Sequence, residues 1–245
     1  MKIAFISDIH SNYQALNSVL NYIHQEKAER IYCAGDIAGY CAQPNECISR
    51  LMEENVISVK GNHDEVVLSK NDPDNFSGPA TEAIKWQKSV INDKSVKFLE
   101  VLRGSLVLND ISIRITHGSP DSPELYKYIL SGGDVREDFE SFDEQICIVG
   151  HSHKPVIFRQ EIKTRQCGEI SGNGVKIEEG YKYIINLGSV GQPRDGNPKA
   201  CVYIYDTDRK IFIRTRHEYD ISGAQQQIMA TPLPVVLAER LEEGY

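Results

Sequence analysis

No apolar run in this 245-residue chain is longer than a handful of residues. A helix that crosses a bilayer needs about 20, so no membrane span is expected. The opening MKIAFISDIHS has one Lys and a short apolar run that ends at Asp8. That is less than the roughly 7–15 apolar residues of a secretory signal. There is no CxxC pair either: Cys33, Cys41, Cys47, Cys147, Cys167 and Cys201 are irregularly spaced, several of them inside apolar strand-like runs. Cysteine in such runs behaves as a small hydrophobe. Without an export signal, the expectation is free thiols in a reducing, cytoplasmic setting rather than a disulfide framework. Positive charge is scarce too, with 27 Lys and Arg against 35 Asp and Glu, a net charge of −8. This disfavours sequence-independent binding of nucleic acid or anionic membrane, yet leaves room for cations or for one phosphate in a locally positive site. Internal repeats, low-complexity segments and linkers are missing. Hydrophobic residues at 40% and charged residues at 25% are ordinary globular values. A chain of this length buries about 70–75% of its unfolded surface without staples, and residues 1–245 read as a single domain.

What is present is an alternation of short β-branched runs with amphipathic stretches. Lys2–Ser7 reads as a buried strand, and Tyr13–Gln25 carries Leu16, Val19, Leu20 and Ile23 at helical spacing. Ile31–Ala34, a helix over Asn45–Glu54 after Pro44, and Val56–Val59 continue a β-α-β-α-β order. Such an order implies an α/β layered sheet with right-handed crossovers. Helices are expected over Glu65–Ser69, Ala80–Ile91 and Ser95–Leu102, with loops at Asn71–Pro79 and Ser119–Gly133 long enough to line or cap a site. From Ser105 onward strands dominate. One hairpin is expected about Asn109-Asp110, another at Ser171–Gly174 and a third at Asp206–Arg209. Two short helices follow Asp220, the last placing Leu233, Val236, Leu237 and Leu241 on one face to dock onto the body.

Polar or glycine-rich chemistry follows strand after strand, where α/β folds keep their sites. The segments are Asp8-Ile9-His10, Gly35-Asp36, Gly61-Asn62-His63-Asp64, His117-Gly118 and Gly150-His151-Ser152-His153, with Asn186–Arg194 as a candidate sixth. A lone DxH or GD is more often a cap, a turn or a satisfied surface group, and the GHSH pair is the stronger signal. Together they put five of the seven histidines at strand ends, two of them, His117 and His151, directly beside a glycine that lets the backbone turn tightly. Carboxylates, a neutral amide and imidazoles form a mixed O and N set, which suits Mn, Fe, Zn, Co or Ni better than Ca or Mg. The i, i+2 spacing of Asp8/His10 and His151/His153 permits both members of a pair to enter one site, since alternate residues of an extended strand share a face.

In that order and spacing, DIH, GD, GNHD, HG and GHSH resemble the calcineurin-like metallophosphoesterases, over nearly the whole chain from Lys2 to about Arg216. Within them the chain looks most like the small prokaryotic group of diadenosine tetraphosphatase-like phosphoesterases. The stretch INLGSVGQPRDGNPKACVYIYD and the LPxxLAxRLxxG ending, Leu233–Gly244, are similar to that group. The resemblance implies an α/β fold of the four-layer αββα sandwich type, with two divalent transition metals, Mn first among them, at the carboxyl ends of the strands. One metal would be held by Asp8, His10, Asp36 and His153. The other would be held by Asp36, Asn62, His117 and His151, with Asp36 bridging. His63 would face the substrate, and Asp64 would hydrogen-bond and orient it.

The activity so implied is hydrolysis of a phosphodiester or nucleotide phosphate bond in a small phosphorylated substrate. A water on two cations roughly 3.5–4 Å apart is strongly acidified and attacks phosphorus in line, and His63 protonates the leaving oxygen. Arg194 is a candidate phosphate ligand, the alternative being a surface pair with Asp195. Tyr40, Tyr126 and Tyr128 are candidates for stacking on a base or for packing. Two other functions stand beside this one. A catalytically silent scaffold of the same fold, such as the small retromer subunit, replaces the His of the GNH motif, whereas His63 is intact here. A phosphoprotein phosphatase resembles a DRG/GNHE pattern, whereas this chain has Ala38-Gly39-Tyr40 and Asp64. The motifs do not choose between diester, monoester, dinucleoside polyphosphate and cyclic nucleotide, because all need the same hydrolytic water.

Overall fold

The computed structural model describes residues 1–71, 76–129 and 135–245. Its first sheet grows from the β-α-β-α-β start of the chain. β1 (Lys2–Ile6) lies parallel to β2 (Arg30–Cys33), and β2 parallel to β3 (Ile57–Ser58). The connections are α1 (Tyr13–Gln25) and α2 (Pro44–Glu53). After α3 (Asn62–Leu68), α4 (Gly78–Val90) and α5 (Asp93–Glu100) the chain enters a second sheet with the hairpin β4 (Ser105–Leu108) and β5 (Ile113–Thr116). The short α6 (Val135–Asp138) precedes β6 (Ile146–Val149), β7 (Val156–Glu161) and β8 (Cys167–Ile170). The remaining elements are β9 (Gly174–Lys176), β10 (Tyr181–Asn186), β11 (Ala200–Asp206), β12 (Ile211–His217), α7 (Ile221–Met229) and α8 (Val236–Glu243).

Each sheet has six strands, in the orders β3-β2-β1-β11-β12-β9 and β4-β5-β6-β10-β7-β8. Alternation along the strands builds the layers, because successive side chains point to opposite faces. In β1, Ile3 and Phe5 join Tyr32, Tyr203 and Phe212 against Ile115, Ile148, Tyr183 and Ile185 of the second sheet. Ala4 and Ile6 face the other way, toward Leu16, Val19, Leu20 and Ile23 of α1 and Ile48 and Leu51 of α2. The outer face of the second sheet is covered by Val135, Phe139 and Phe142 packed on Cys147, Val149, Phe158 and Ile184. The result is the four-layer αββα sandwich, with one thick helical layer and one thin. The six cysteines are free thiols. No helix among the described residues is long and apolar enough to cross a membrane.

Two expectations need correction. Ser171–Gly174 is not a hairpin turn: β8 pairs with β7 in the second sheet, whereas β9 pairs with β12 in the first, so this segment carries the chain between sheets. Turn residues such as Gly172, at φ +110°, specify a local reversal and not which strand is met next. The last helix starts only at Val236, so Leu233 precedes it; Leu233, Leu237 and Leu241 nevertheless pack together with Ile228, Ala80 and Ala83. Val236 instead faces outward.

Candidate metal centre

The loops that follow β1, β2, β3, β5 and β6 converge at one edge of the sandwich. Asp8, His10, Asp36, His117, His151 and His153 are all buried there, beside His63. Potential ligand atoms gather in three overlapping groups, each with all its atoms within 4.8 Å of one another: Asp8–His10–His153, His10–Asp36–His63 and Asp36–His117–His151. Asp36 belongs to two of them. Its Oδ2 lies 3.1 Å from His117 Nε2 and 3.6 Å from His10 Nε2. Asp8 Oδ1 lies 3.3 Å from His153 Nε2.

Backbone geometry makes this convergence possible. Asp8, His10, Asp36, His151 and His153 all have φ between +48° and +66°, the left-handed region that costs a non-glycine residue roughly 1–3 kcal/mol. The extended-strand argument for the Asp8/His10 and His151/His153 pairs therefore fails here. The chain leaves each strand in a tight left-handed bend, and the bend aims both side chains inward. Two glycines allow the loops to close. A Cβ on Gly61 would strike Asp36 Oδ1, and one on Gly150 would strike Ser7 Oγ and crowd Asp8.

Second partners orient the rings. His10 Nδ1 faces Ala38 O at 2.9 Å, His117 Nδ1 faces Ala34 O at 2.8 Å and His153 Nδ1 faces Gln192 O at 2.6 Å. Each such carbonyl holds its ring with Nδ1 protonated and turns the Nε2 lone pair toward the carboxylates. His10 Nε2 and His153 Nε2 then meet at 3.0 Å, and His117 Nε2 lies 3.2 Å from His151 Nδ1. Lone pairs that face one another in a dry site repel unless a proton or a cation lies between them. Burial opposes ionisation of Asp36, but His117, His63 and His10 outweigh it and hold the carboxyl well below its usual range. Burial likewise opposes the charge on His117, and Asp36 overcomes it, raising the imidazole to about 9. Burial lowers His151 to about 4 and depresses His153 and His63 as well.

The donor set fits a pair of divalent cations. Carboxylates come first, imidazole lone pairs are already aimed, and the buried Asn62 Oδ1 has no hydrogen-bond partner. A neutral oxygen left unsatisfied in a buried site is costly unless something outside the protein's own groups engages it.

Asp64 departs from expectation. Its Oδ1 accepts from Ile37 N and Ala38 N, both at 2.9 Å, and its Oδ2 accepts from Gly61 N at 3.0 Å. It caps α3 and ties that helix to the Asp36 loop, so it does not hydrogen-bond His63. Burial first, and Asp36 second, raise this carboxyl to about 6. His63 Nδ1 is buried without a partner, and the ring is braced edge-on by His10 and Phe76 and by Tyr40, at 4.6–4.9 Å between centroids. An acid three residues after a glycine was the legible sign of this cap, hidden because the N-cap is Gly61 rather than Ser or Thr.

Arg194 reaches the site's rim. Asp195 pairs with Arg216 instead, leaving Arg194 to Gln192 Oε1 at 2.9 Å and to the face of Tyr40, 5.3 Å from the ring centroid. The Asn186–Arg194 segment serves the other motifs rather than supplying side-chain ligands. Asn186 Nδ2 pins Gly150 O and Ser152 Oγ, Ser189 Oγ donates to Asp8 O, and Gln192 O holds His153. Gln87, read only as part of a helical face, is fully buried and bonds Gly39 N, Gly39 O, Cys41 O and Ser11 Oγ. Tyr128 stacks on His151 at 4.0 Å, and Tyr126 sits edge-on to His117 with its hydroxyl donating to Glu65. The loops Asn71–Pro79 and Ser119–Gly133 lie in part outside the described residues.

Convergent carboxylates and imidazoles at the carboxyl ends of two facing mixed sheets define a metallohydrolase-type centre. The calcineurin-like phosphoesterase superfamily domain matches residues 1–210, and the chain belongs to that superfamily. It is 41% identical to an uncharacterized protein of Methanocaldococcus jannaschii, over 99% of this chain and 98% of that one. A metallophosphoesterase from Sphaerobacter thermophilus superposes with a TM-score of 0.87 at 32% identity, covering 100% of this chain and 99% of its own. A hypothetical protein from Pyrococcus horikoshii shares the fold with a TM-score of 0.79 at 18% identity, over 100% and 98% of the two chains.

Proposed function

We propose that the chain is a phosphodiesterase that uses two divalent transition-metal ions, Mn first among the candidates with Fe, Zn, Ni and Co as alternatives. One ion would be held by Asp8, His10, Asp36 and His153, and the other by Asp36, Asn62, His117 and His151. The observation that carries this reading is Asp36, whose carboxylate is shared between two groups of potential ligands. When bound, such a pair of cations activates water and neutralises charge on a phosphoryl group.

The chain's own residues do the rest. Arg194 presents a guanidinium to the non-bridging phosphate oxygens, where two parallel N–H···O bonds are the form in which arginine binds phosphate best. Asn62 offers oxygen without charge, so it adds no repulsion toward an anionic ester. His63 stands beside the cluster, and a proton on its ring passes to the departing oxygen. Burial disfavours its charged form, and an anionic ester seated over it restores that form by direct attraction. Tyr40 and Phe76 hold the ring at its angle. The substrate would be a small phosphorylated molecule, with nucleotides a leading class. We further read residues 1–245 as one working domain of a cytoplasmic protein.

The test is turnover by metal-stripped protein refilled with Mn²⁺, on bis-p-nitrophenyl against mono-p-nitrophenyl phosphate. A higher kcat/KM for the diester is expected. Preference for the monoester would replace diesterase by monoesterase, and two bound metals without turnover of either ester would make the chain a scaffold.

A further inference from the structure

Beyond the metal cluster, the ring of Tyr40 meets two positive charges. The ring is buried, and its inner side meets His10 and His63, each at 4.6 Å between centroids. The guanidinium of Arg194 lies 5.3 Å from the ring centroid and that of Arg240, on α8, lies 5.8 Å away. Both arginines are half-buried. Elsewhere arginines find acids: Arg216 takes Asp195, Arg114 takes Glu144 and Arg30 takes Asp110. No side-chain carboxylate pairs with Arg194 or Arg240 among the described residues. Arg240 Nε donates to the main-chain oxygen of Tyr245 at 2.8 Å, and Arg194 spends one hydrogen bond on Gln192. Arg194 Nε is buried with no partner. Two half-buried guanidiniums over one aromatic ring repel each other, and an anion that joins them offsets that repulsion.

We infer that Arg240 extends the phosphate-binding edge begun by Arg194 into a second anion subsite over Tyr40, which takes a phosphate that the substrate carries in addition to the scissile one, with Arg194 shared between the two. This rests on the phosphoesterase reading for the identity of the first phosphate. Arg240 is thereby a specificity-determining residue. The last helix, which packs far from the metal ligands in sequence, becomes part of the wall of the site. Tyr40 is the spacer: its ring centroid lies 4.6 Å from those of His10 and His63 and 5.3 and 5.8 Å from the two guanidiniums, so the second phosphate is placed at another position of the same molecule.

The test is equilibrium binding to the Mn²⁺-loaded protein by calorimetry, comparing thymidine 5′-monophosphate with thymidine 3′,5′-bisphosphate. The bisphosphate is expected to bind about tenfold tighter or more at low salt. Arg240→Gln should bring the two affinities within about twofold, and Arg240→Lys should keep part of the difference. Equal affinities in the unsubstituted protein, or a preference that Arg240→Gln leaves intact, would overturn the inference. Should Arg240→Gln fail to fold, the unsubstituted ratio and the Lys variant still decide. Binding needs no turnover, so the two readings fail separately. A preference sensitive to Arg240 in a protein that hydrolyses neither nitrophenyl ester sinks the phosphoesterase alone, and hydrolysis without that preference sinks the subsite alone.

Discussion

His63 and Asp64 are neighbours in one short motif and have opposite employments. Asp64 turns both carboxylate oxygens to three main-chain N–H groups, so its work is to hold the Asp36 loop against the start of α3. His63 has a ring nitrogen with no protein partner and touches the cluster through its neighbours His10 and Tyr40. His63→Ala is therefore expected to keep both metals while kcat on esters with poor leaving groups falls by about 10²–10⁴-fold. Metal content by elemental analysis, run beside kinetics on alkyl and nitrophenyl esters, checks this. A parallel loss of metal and rate would make His63 a ligand, a possibility kept open by its grouping with His10 and Asp36.

At the scale of elements, loops approach one another as closely as glycine permits. Gly61 is the N-cap of α3 and lies flat against the carboxylate and amide of Asp36. Gly61→Ala places a methyl group where Asp36 Oδ1 stands. The methyl cannot be absorbed without moving either the helix start or the Asp36 carboxylate. A loss of about 1–3 kcal/mol in urea unfolding is expected from such overpacking. Metal affinity should weaken with it, because the moved group is the one shared by both candidate sites. Unchanged Mn²⁺ affinity in calorimetry would show that Asp36 tolerates the shift. The hairpin misread at Ser171–Gly174 belongs to this scale as well. Local composition marks a reversal, and only the partner strands decide whether it closes a hairpin or changes sheets.

For the whole molecule, the centre is where both sheets meet. Candidate ligands that follow β1 and β2 face those that follow β5 and β6, so a cation bound there would link the two halves of the sandwich. Ligand that binds only the folded state stabilises it by mass action, about 2.7 kcal/mol at a concentration 100 times Kd. For a chain of this size, that corresponds to a rise in Tm on the order of 5–10 °C. Mn²⁺ added to stripped protein should thus raise Tm in step with its concentration, and a chelator should reverse the rise. A melting curve indifferent to both would remove the cations from the structure's stability and from the proposed chemistry.

Much of the fold and most of the cluster are legible in the residues alone. Periodicity is a local property: apolar residues at Leu16, Val19, Leu20 and Ile23 can satisfy a helix by themselves, and α1 has the bounds that spacing predicts. The same holds for motif residues at strand ends, because strand-end loops must lie at one edge of a sheet wherever the strands run parallel. Tertiary structure decided what depends on groups distant in sequence. It turned Asp64 from His63 to the main chain, drew Asp195 away to Arg216, and used Asn186 and Gln192 to orient motifs rather than to bind. It also brought Arg240 across Tyr40 to stand with Arg194. Hydrogen bonds and ion pairs are settled by competition among whatever the fold assembles, and a linear pattern carries no distance between residues 40, 194 and 240.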